Sequence, residues 1–151
     1  MSTTISASGT EAGRPLPQID NVSRAYWEAA DRGELVYQEC LSCGHRQLYP
    51  RAMCTACAAS TEWRRASGRG TVYTFTVIRQ NWAEPFRAML PYVVAMVALE
   101  EGPRLMTNLT DCMPEDVKVG MEVEAWFAPV EAGLALPMFR PVAGFPTESA
   151  L

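Results

Sequence analysis

Two cysteine pairs constrain this chain more than anything else in it. Cys40-Leu-Ser-Cys43 is followed, after ten residues, by Cys54-Thr-Ala-Cys57. A Cys-x-x-Cys turn aims two thiolates at one ion, and two such turns supply the four tetrahedral sulfur ligands that suit zinc. Gly44, directly after the second cysteine, relieves crowding where the chain must reverse. Four protein ligands leave no open position for water or substrate. The spacing therefore predicts one structural zinc per chain, held by Cys40, Cys43, Cys54 and Cys57. Reading the pairs as redox thiols would need a βαβ setting, which the flanking sequence does not offer. His45, the single histidine, is surplus to a site already filled. Cys112, the fifth cysteine, reads as a small packing residue.

The cysteine unit is too small to be the whole fold, and the sequence around it changes period. Asn21 to Gly33 reads as a helix, with Asn21 or Ser23 available to cap its start and Gly33 at its C′ position. Tyr26, Trp27 and Ala30 share one face of it, which is read as a packing face or a surface for a partner subunit. Glu34 to Glu39 is a short strand. Beyond the cysteines the period becomes two. Strands are predicted over Thr71–Arg79, Tyr92–Leu99 (buried on both faces), Arg104–Leu109, Met121–Phe127 and Pro137–Val142. The prolines at 137 and 141 suggest that the last is an edge. Five short strands in about seventy residues suit a small antiparallel barrel or a sandwich. The Glu100-Glu101 pair sits on a turn and reads as solvated.

Charge is unevenly spread. The net charge is −4, yet between Cys40 and Leu90 seven arginines face only Glu62 and Glu84. Either the middle third is an ordinary surface laced with ion pairs, or it offers a site to a small polyanion. No apolar run approaches the roughly 18 residues of a membrane helix, and the Ser/Thr-rich start lacks the pattern of a secretory signal. A cytoplasmic location is expected. No nucleophile has an evident base, and Gly68-Arg-Gly70 is too short for a phosphate loop.

Taken in order, the parts carry a resemblance. A Tyr-Trp helix leads into the four-cysteine unit. Then come Gly70-Thr-Val-Tyr-Thr-Phe-Thr-Val77, Pro91-Tyr-Val-Val-Ala-Met-Val-Ala-Leu-Glu100, Gly102-Pro-Arg-Leu-Met106, Val119-Gly-Met-Glu-Val123 and Phe139-Arg-Pro141. Over residues 22 to 142 this resembles a bacterial and archaeal family of acyl-CoA-associated proteins with a rubredoxin-like zinc ribbon and an OB-fold. The resemblance implies a mainly β chain: a lead (1–20), a helix (21–36), a zinc ribbon (37–67), a five-stranded OB-fold barrel (68–145) and a tail (146–151). The short span from Asp111 to Lys118 leaves little room for the helix an OB-fold often carries there, so an open or trimmed barrel is expected. The resemblance also implies a non-catalytic subunit of a hetero-oligomer that partners a thiolase-fold enzyme such as a thiolase, acyltransferase or steroid side-chain aldolase. No catalytic residue is expected.

Two further expectations come from the residues. Arg46 and Arg51, in the loop between the cysteine pairs, are candidates to meet the phosphates of CoA, because guanidinium matches phosphate oxygens. The loop Asn81–Leu90, with Trp82 and Phe86, is a candidate partner surface or else a plug for the barrel. The alternative function is a nucleic-acid-binding ribbon and barrel, with Tyr73 and Phe75 stacking on bases. The acidic total and the single lysine, Lys118, argue against it.

Overall fold

The structure is a computed structural model that describes residues 14–142. Of the expected lead (1–20), residues 1–13 lie outside the described residues, as do 143–145 of the expected barrel span and the tail at 146–151. The helix α1 spans Arg24–Asp31, shorter than expected. At its start the capping pair is not the one anticipated. Asp20 Oδ1 accepts the backbone N–H of Ser23 at 2.8 Å, and Ser23 Oγ accepts the Asp20 N–H at 3.2 Å. This reciprocal arrangement satisfies donors that a helix start leaves open. At the other end Gly33 has φ +80°. Its N–H bonds Ala30 O, and the Glu34 N–H bonds Ala29 O at 2.9 Å, the pattern a left-handed terminal glycine allows. Tyr26, Ala29 and Ala30 are buried, and Trp27 packs at their margin. The stripe faces the chain's own barrel, chiefly its last strand.

The ribbon sheet consists of β1 (Val36–Cys40), β2 (Arg46–Gln47) and β3 (Thr61–Arg65), in the order β2-β1-β3. The barrel follows directly: β4 (Arg69–Ile78), β5 (Tyr92–Leu99), β6 (Arg104–Leu109), β7 (Glu122–Glu131) and β8 (Leu134–Pro141). Its order is β4-β5-β6-β8-β7, closed by β7 on β4. All pairs are antiparallel except β6 with β8, which meet in parallel at Leu109 and Phe139. This is the OB-fold expected.

Three expectations are corrected. The barrel is closed rather than open, while the trimmed alternative holds: the link from Asp111 to Lys118 carries only a single 3-10 turn, Pro114–Asp116. The strand bearing Pro137 and Pro141 is not an edge. It lies between β7 and β6, and because its contact with β6 is one bridge, the missing proline donors cost little there. Finally, β5 is not buried on both faces. Val93, Ala95, Val97 and Leu99 are buried while the residues between them are only half covered, because one side faces the core and the other faces out.

Core residues are the inward alternates of each strand, with Phe139, Val72, Val97 and Val123 wholly enclosed. A β-bulge at Tyr73 lies between the paired residues Val72 and Thr74. Gly70 pairs with Leu99 on one side and Val123 on the other. A Cβ there would lie 2.5 Å from Ala98 O, so the strand needs glycine for space.

Candidate metal centre and adjoining groove

Each cysteine pair sits in a tight turn after a strand or loop of the ribbon. Cys40 ends β1, and the Gly44 N–H returns to Cys40 O at 3.2 Å. The second turn repeats this with the Ala58 N–H on Cys54 O at 2.9 Å. Gly44 has φ +75° and Ala58 φ +64°, so both turns use the left-handed conformation, once with glycine and once without. All four sulfurs lie within 4.8 Å of one another. Cys40 and Cys57 are 3.5 Å apart, and Cys43 and Cys54 are 3.7 Å apart. Ligands about 2.3 Å from a tetrahedral zinc would be separated by about 3.8 Å, so the donor set fits the ion. No disulfide joins any of the five cysteines.

The backbone is also arranged for negative sulfur. The N–H groups of Cys43 and Ser42 point at Cys40 Sγ at 3.4 and 3.3 Å, and that of Ala56 points at Cys54 Sγ at 3.3 Å. The Cys43 N–H first, helped by that of Ser42, lowers the Cys40 thiol to about 6. The Cys43 thiol is lowered by the His45 N–H, yet the crowding of Cys57, Cys40 and Cys54 outweighs this and pushes it up to about 12. Sulfurs this close do not share four negative charges without a cation. The site is a four-cysteine cluster consistent with structural zinc. His45 is turned to Thr55 Oγ1, 3.2 Å from its Nε2. Cys112 is half-buried against the core, and that burial raises its thiol to about 11.

What holds the intervening loop was not visible in the sequence. Gln38 and Gln47 are both buried and face each other across β1 and β2. Gln38 Oε1 accepts the Arg51 N–H, and its Nε2 donates to Arg51 O, each at 2.9 Å. Gln47 donates to Gln38 Oε1 at 3.0 Å and accepts the Thr55 N–H at 2.9 Å. Two amides thus replace a hydrophobic core, which a unit this small cannot assemble. No periodicity marks them; a polar residue inside a short strand carries no signal of its partner.

The Glu100-Glu101 pair is not simply solvated. Glu101 Oε1 accepts the Ser67 N–H at 2.6 Å and Glu100 Oε2 accepts the Ser67 hydroxyl at 2.9 Å. Arg46 bonds Glu39 at 2.9 Å and Glu101 O at 3.1 Å. Together these groups fasten ribbon to barrel, and Arg46 is engaged at that junction. The other arginines of the middle third mostly find carboxylates: Arg64 with Glu39 and Glu62, Arg65 with Glu34, Arg79 with Glu115 and Arg87 with Glu84. Arg51 does not; among the described residues its guanidinium reaches only Pro50 O, at 3.2 Å. It stands on the rim of a groove of about 450 Å³ between α1, the ribbon loop and the outer parts of β6 and β8. Tyr26, Trp27, Met106 and Pro137 line this groove, and Tyr49 crosses to it, its hydroxyl accepting the Met106 N–H at 3.0 Å. Arg46 and Arg51 therefore serve different places.

The loop after β4 divides its two aromatic residues. Trp82 is 77% exposed. Phe86 is half-buried against Tyr92, at a ring separation of 6.5 Å, with the Arg14 guanidinium over its other side. The loop does not plug the barrel. Tyr73 is exposed but covered by Arg104, 3.8 Å above its ring, and Phe75 packs against the core.

A closed four-thiol ribbon joined to a five-stranded OB barrel defines a two-part zinc-ribbon/OB-fold class. Within it the chain matches two family models. The first is the ChsH2 rubredoxin-like zinc ribbon domain, over residues 27–64; the second is the ChsH2 C-terminal OB-fold domain, over residues 63–128. The chain belongs to the ChsH2/DUF35 family. It is 38% identical over 108 residues to a DUF35 domain-containing scaffold protein of Methanocaldococcus jannaschii, covering 70% of this chain and 76% of that one. It is 37% identical over 133 residues, 87% of this chain, to a probable enoyl-CoA hydratase alpha subunit of Thermomonospora curvata, and spans 41% of that protein's length. Among solved structures it resembles a chain of an Ltp2-ChsH2(DUF35) aldolase. The TM-score is 0.75 at 35% identity, covering 83% of this chain and 98% of that chain.

Proposed function

We propose that this chain is a non-catalytic scaffold subunit of an acyl-CoA-processing enzyme of the thiolase superfamily, working inside a hetero-oligomer. The observation that carries this is the match over nearly the whole of a chain in an Ltp2-ChsH2(DUF35) aldolase, together with the similarity to DUF35 scaffold proteins. The chemistry agrees. The candidate metal site is closed by four sulfurs, so zinc there would hold the ribbon together rather than activate water. A thiol raised by burial, as at Cys112, is a poor nucleophile. Four reduced thiolates suit the cytoplasm, and no described helix is long and apolar enough to cross a membrane. The acidic total argues against an extended nucleic-acid backbone, which asks for a basic surface.

Arg51 is the residue we assign to CoA phosphate, at the rim of the groove. Arg46, the other sequence candidate, would contribute from the junction only by giving up Glu39. The functional reading is tested by purifying the tagged chain from its native cell and identifying what co-elutes. An acyl-CoA enzyme subunit whose turnover falls when the chain is omitted is the expected result. Acyl-CoA turnover by the isolated chain, or the lack of any acyl-CoA enzyme in the eluate, refutes it. In the assembled complex Arg51→Glu should weaken CoA binding about tenfold or more by calorimetry, with zinc content unchanged.

A further inference from the structure

From Thr71 to Ile78 and across β5 and β6 the strands themselves put one charge on the outward face; from outside, Arg14 donates to Asn108 Oδ1 at 3.2 Å and lies over Phe86, and Glu122 of β7 borders the face beside Thr71. Across the strands its rungs are Ile78 with Tyr92, then Thr76, Val94 and Asn108, then Thr74, Met96 and Met106, then Thr71, Ala98 and Arg104. Arg104 alone among these is ionic. It makes no ion pair among the described residues and lies over Tyr73, itself exposed at the bulge. Met106 is 59% exposed. At the opposite end the face runs into the loop that presents Trp82, held there by Arg87 donating to Trp82 O at 3.0 Å and by Asn81 donating to the Tyr92 hydroxyl at 3.0 Å. An exposed tryptophan on a braced loop, beside a neutral sheet, has the composition of an interface core.

We propose that this face, from Trp82 to Arg104, is where the acyl-CoA enzyme subunit sits. The inference rests on the functional reading above and gives it a surface. The partner's contact is apolar at its centre, opposite Met96 and Met106, with a pocket for Trp82 and a carboxylate facing Arg104. Continuity selects this occupant. Met106 and Asn108 belong both to the face and to the wall of the groove rimmed by Arg51. A partner seated here closes the groove's open side and brings a bound acyl-CoA to Arg51. Size agrees as well. Three strands about 4.8 Å apart, of ten, eight and six residues, present a strip of roughly 400 Å². A standard interface needs about 800 Å² per partner. The strip alone falls short, so the partner must also cover the Trp82 loop and the groove lip.

The test uses the enzyme subunit that co-purifies with the wild-type chain. Met106→Glu and Arg104→Glu, made separately, should each weaken that association about 100-fold or more. Circular dichroism and zinc content should stay as in wild type, since both side chains are exposed. Glu131→Lys, exposed at the β7–β8 hairpin and away from this face, should bind normally. Folded variants that both bind like wild type overturn the surface assignment and leave the functional reading standing. A wild-type chain that is a dimer by itself, and becomes monomeric with Met106→Glu, assigns the face to a second copy and overturns the proposal. A wild-type chain that brings down no acyl-CoA enzyme removes the functional reading, and this inference falls with it.

Discussion

Gln38→Leu removes a side chain that is 4% exposed and leaves one of nearly equal volume. The change deletes three hydrogen bonds: two to the backbone of Arg51, at 2.9 Å each, and one from Gln47, at 3.0 Å. Such bonds contribute about 0.5–1.5 kcal/mol each, and a buried group left unpaired costs about 1–3 kcal/mol. Arg51 is exposed, so water can recover its N–H and C=O, and Gln47 keeps its bond to Met53 O. The net loss should therefore lie near the low end, about 2 kcal/mol. It falls on the loop that positions Cys54. Because a structural metal's binding energy is shared with folding of its site, a 2 kcal/mol loss corresponds to roughly 30-fold weaker zinc retention. Competition with a chromogenic chelator measures this directly, with Leu41→Ser, an exposed position between two cysteines, as the control. If Gln38→Leu keeps zinc as tightly as wild type, the glutamine pair does not stand in for a core and the argument fails.

Cys43→Ser and Cys57→Ser should each release most of the metal and loosen the ribbon, read by elemental analysis; a folded preparation purified with no zinc at all would remove the metal assignment. Gly70→Ala should destabilise by about 1–2 kcal/mol, the cost of overpacking less the entropy alanine removes from the unfolded chain. That amounts to a fall in Tm of roughly 2–8 °C for a chain this size, and an unchanged Tm would show that β4 and β5 can separate freely there. Asp20 is held below its ordinary 3.8 by the Ser23 N–H first and the Ser23 hydroxyl second. Its folded pKa is thus the lower one, so its contribution to the helix start is complete above about pH 4 and is lost as pH falls through the depressed folded value. Protection of the Ser23 amide, measured against its intrinsic exchange rate, should fall in acid in wild type and lose that acid dependence in Asp20→Asn.

The parts of this molecule that sequence makes legible are those set by spacing or period. Cys40, Cys43, Cys54 and Cys57 announce themselves because two ligands per turn demand fixed offsets, and the structure gathers their sulfurs within 4.8 Å. The strands Tyr92–Leu99 and Arg104–Leu109 were readable to the residue from β-branched density and bounding turns. Barrel closure was not, since it depends on the meeting of Leu109 with Phe139 thirty residues later. Nor were the partners of the charged groups. Arg46 looked free for phosphate, but its Glu39 is seven residues back and across a strand pair. Glu100 and Glu101 looked solvated because Ser67 is 33 and 34 residues away. Periodicity reports which face a residue takes, not what waits opposite it.

The two turns of the metal site share one geometry but not one residue. Gly44 adopts its left-handed conformation without steric cost, whereas Ala58 at φ +64° pays about 1 kcal/mol for it. By itself that difference disfavours the second turn against the first by about fivefold. The centre consequently has a direction. Its costlier side is the Cys54–Cys57 turn, so Ala58→Gly should tighten zinc retention by up to about fivefold in competition with a chelator, and Gly44→Ala should weaken it.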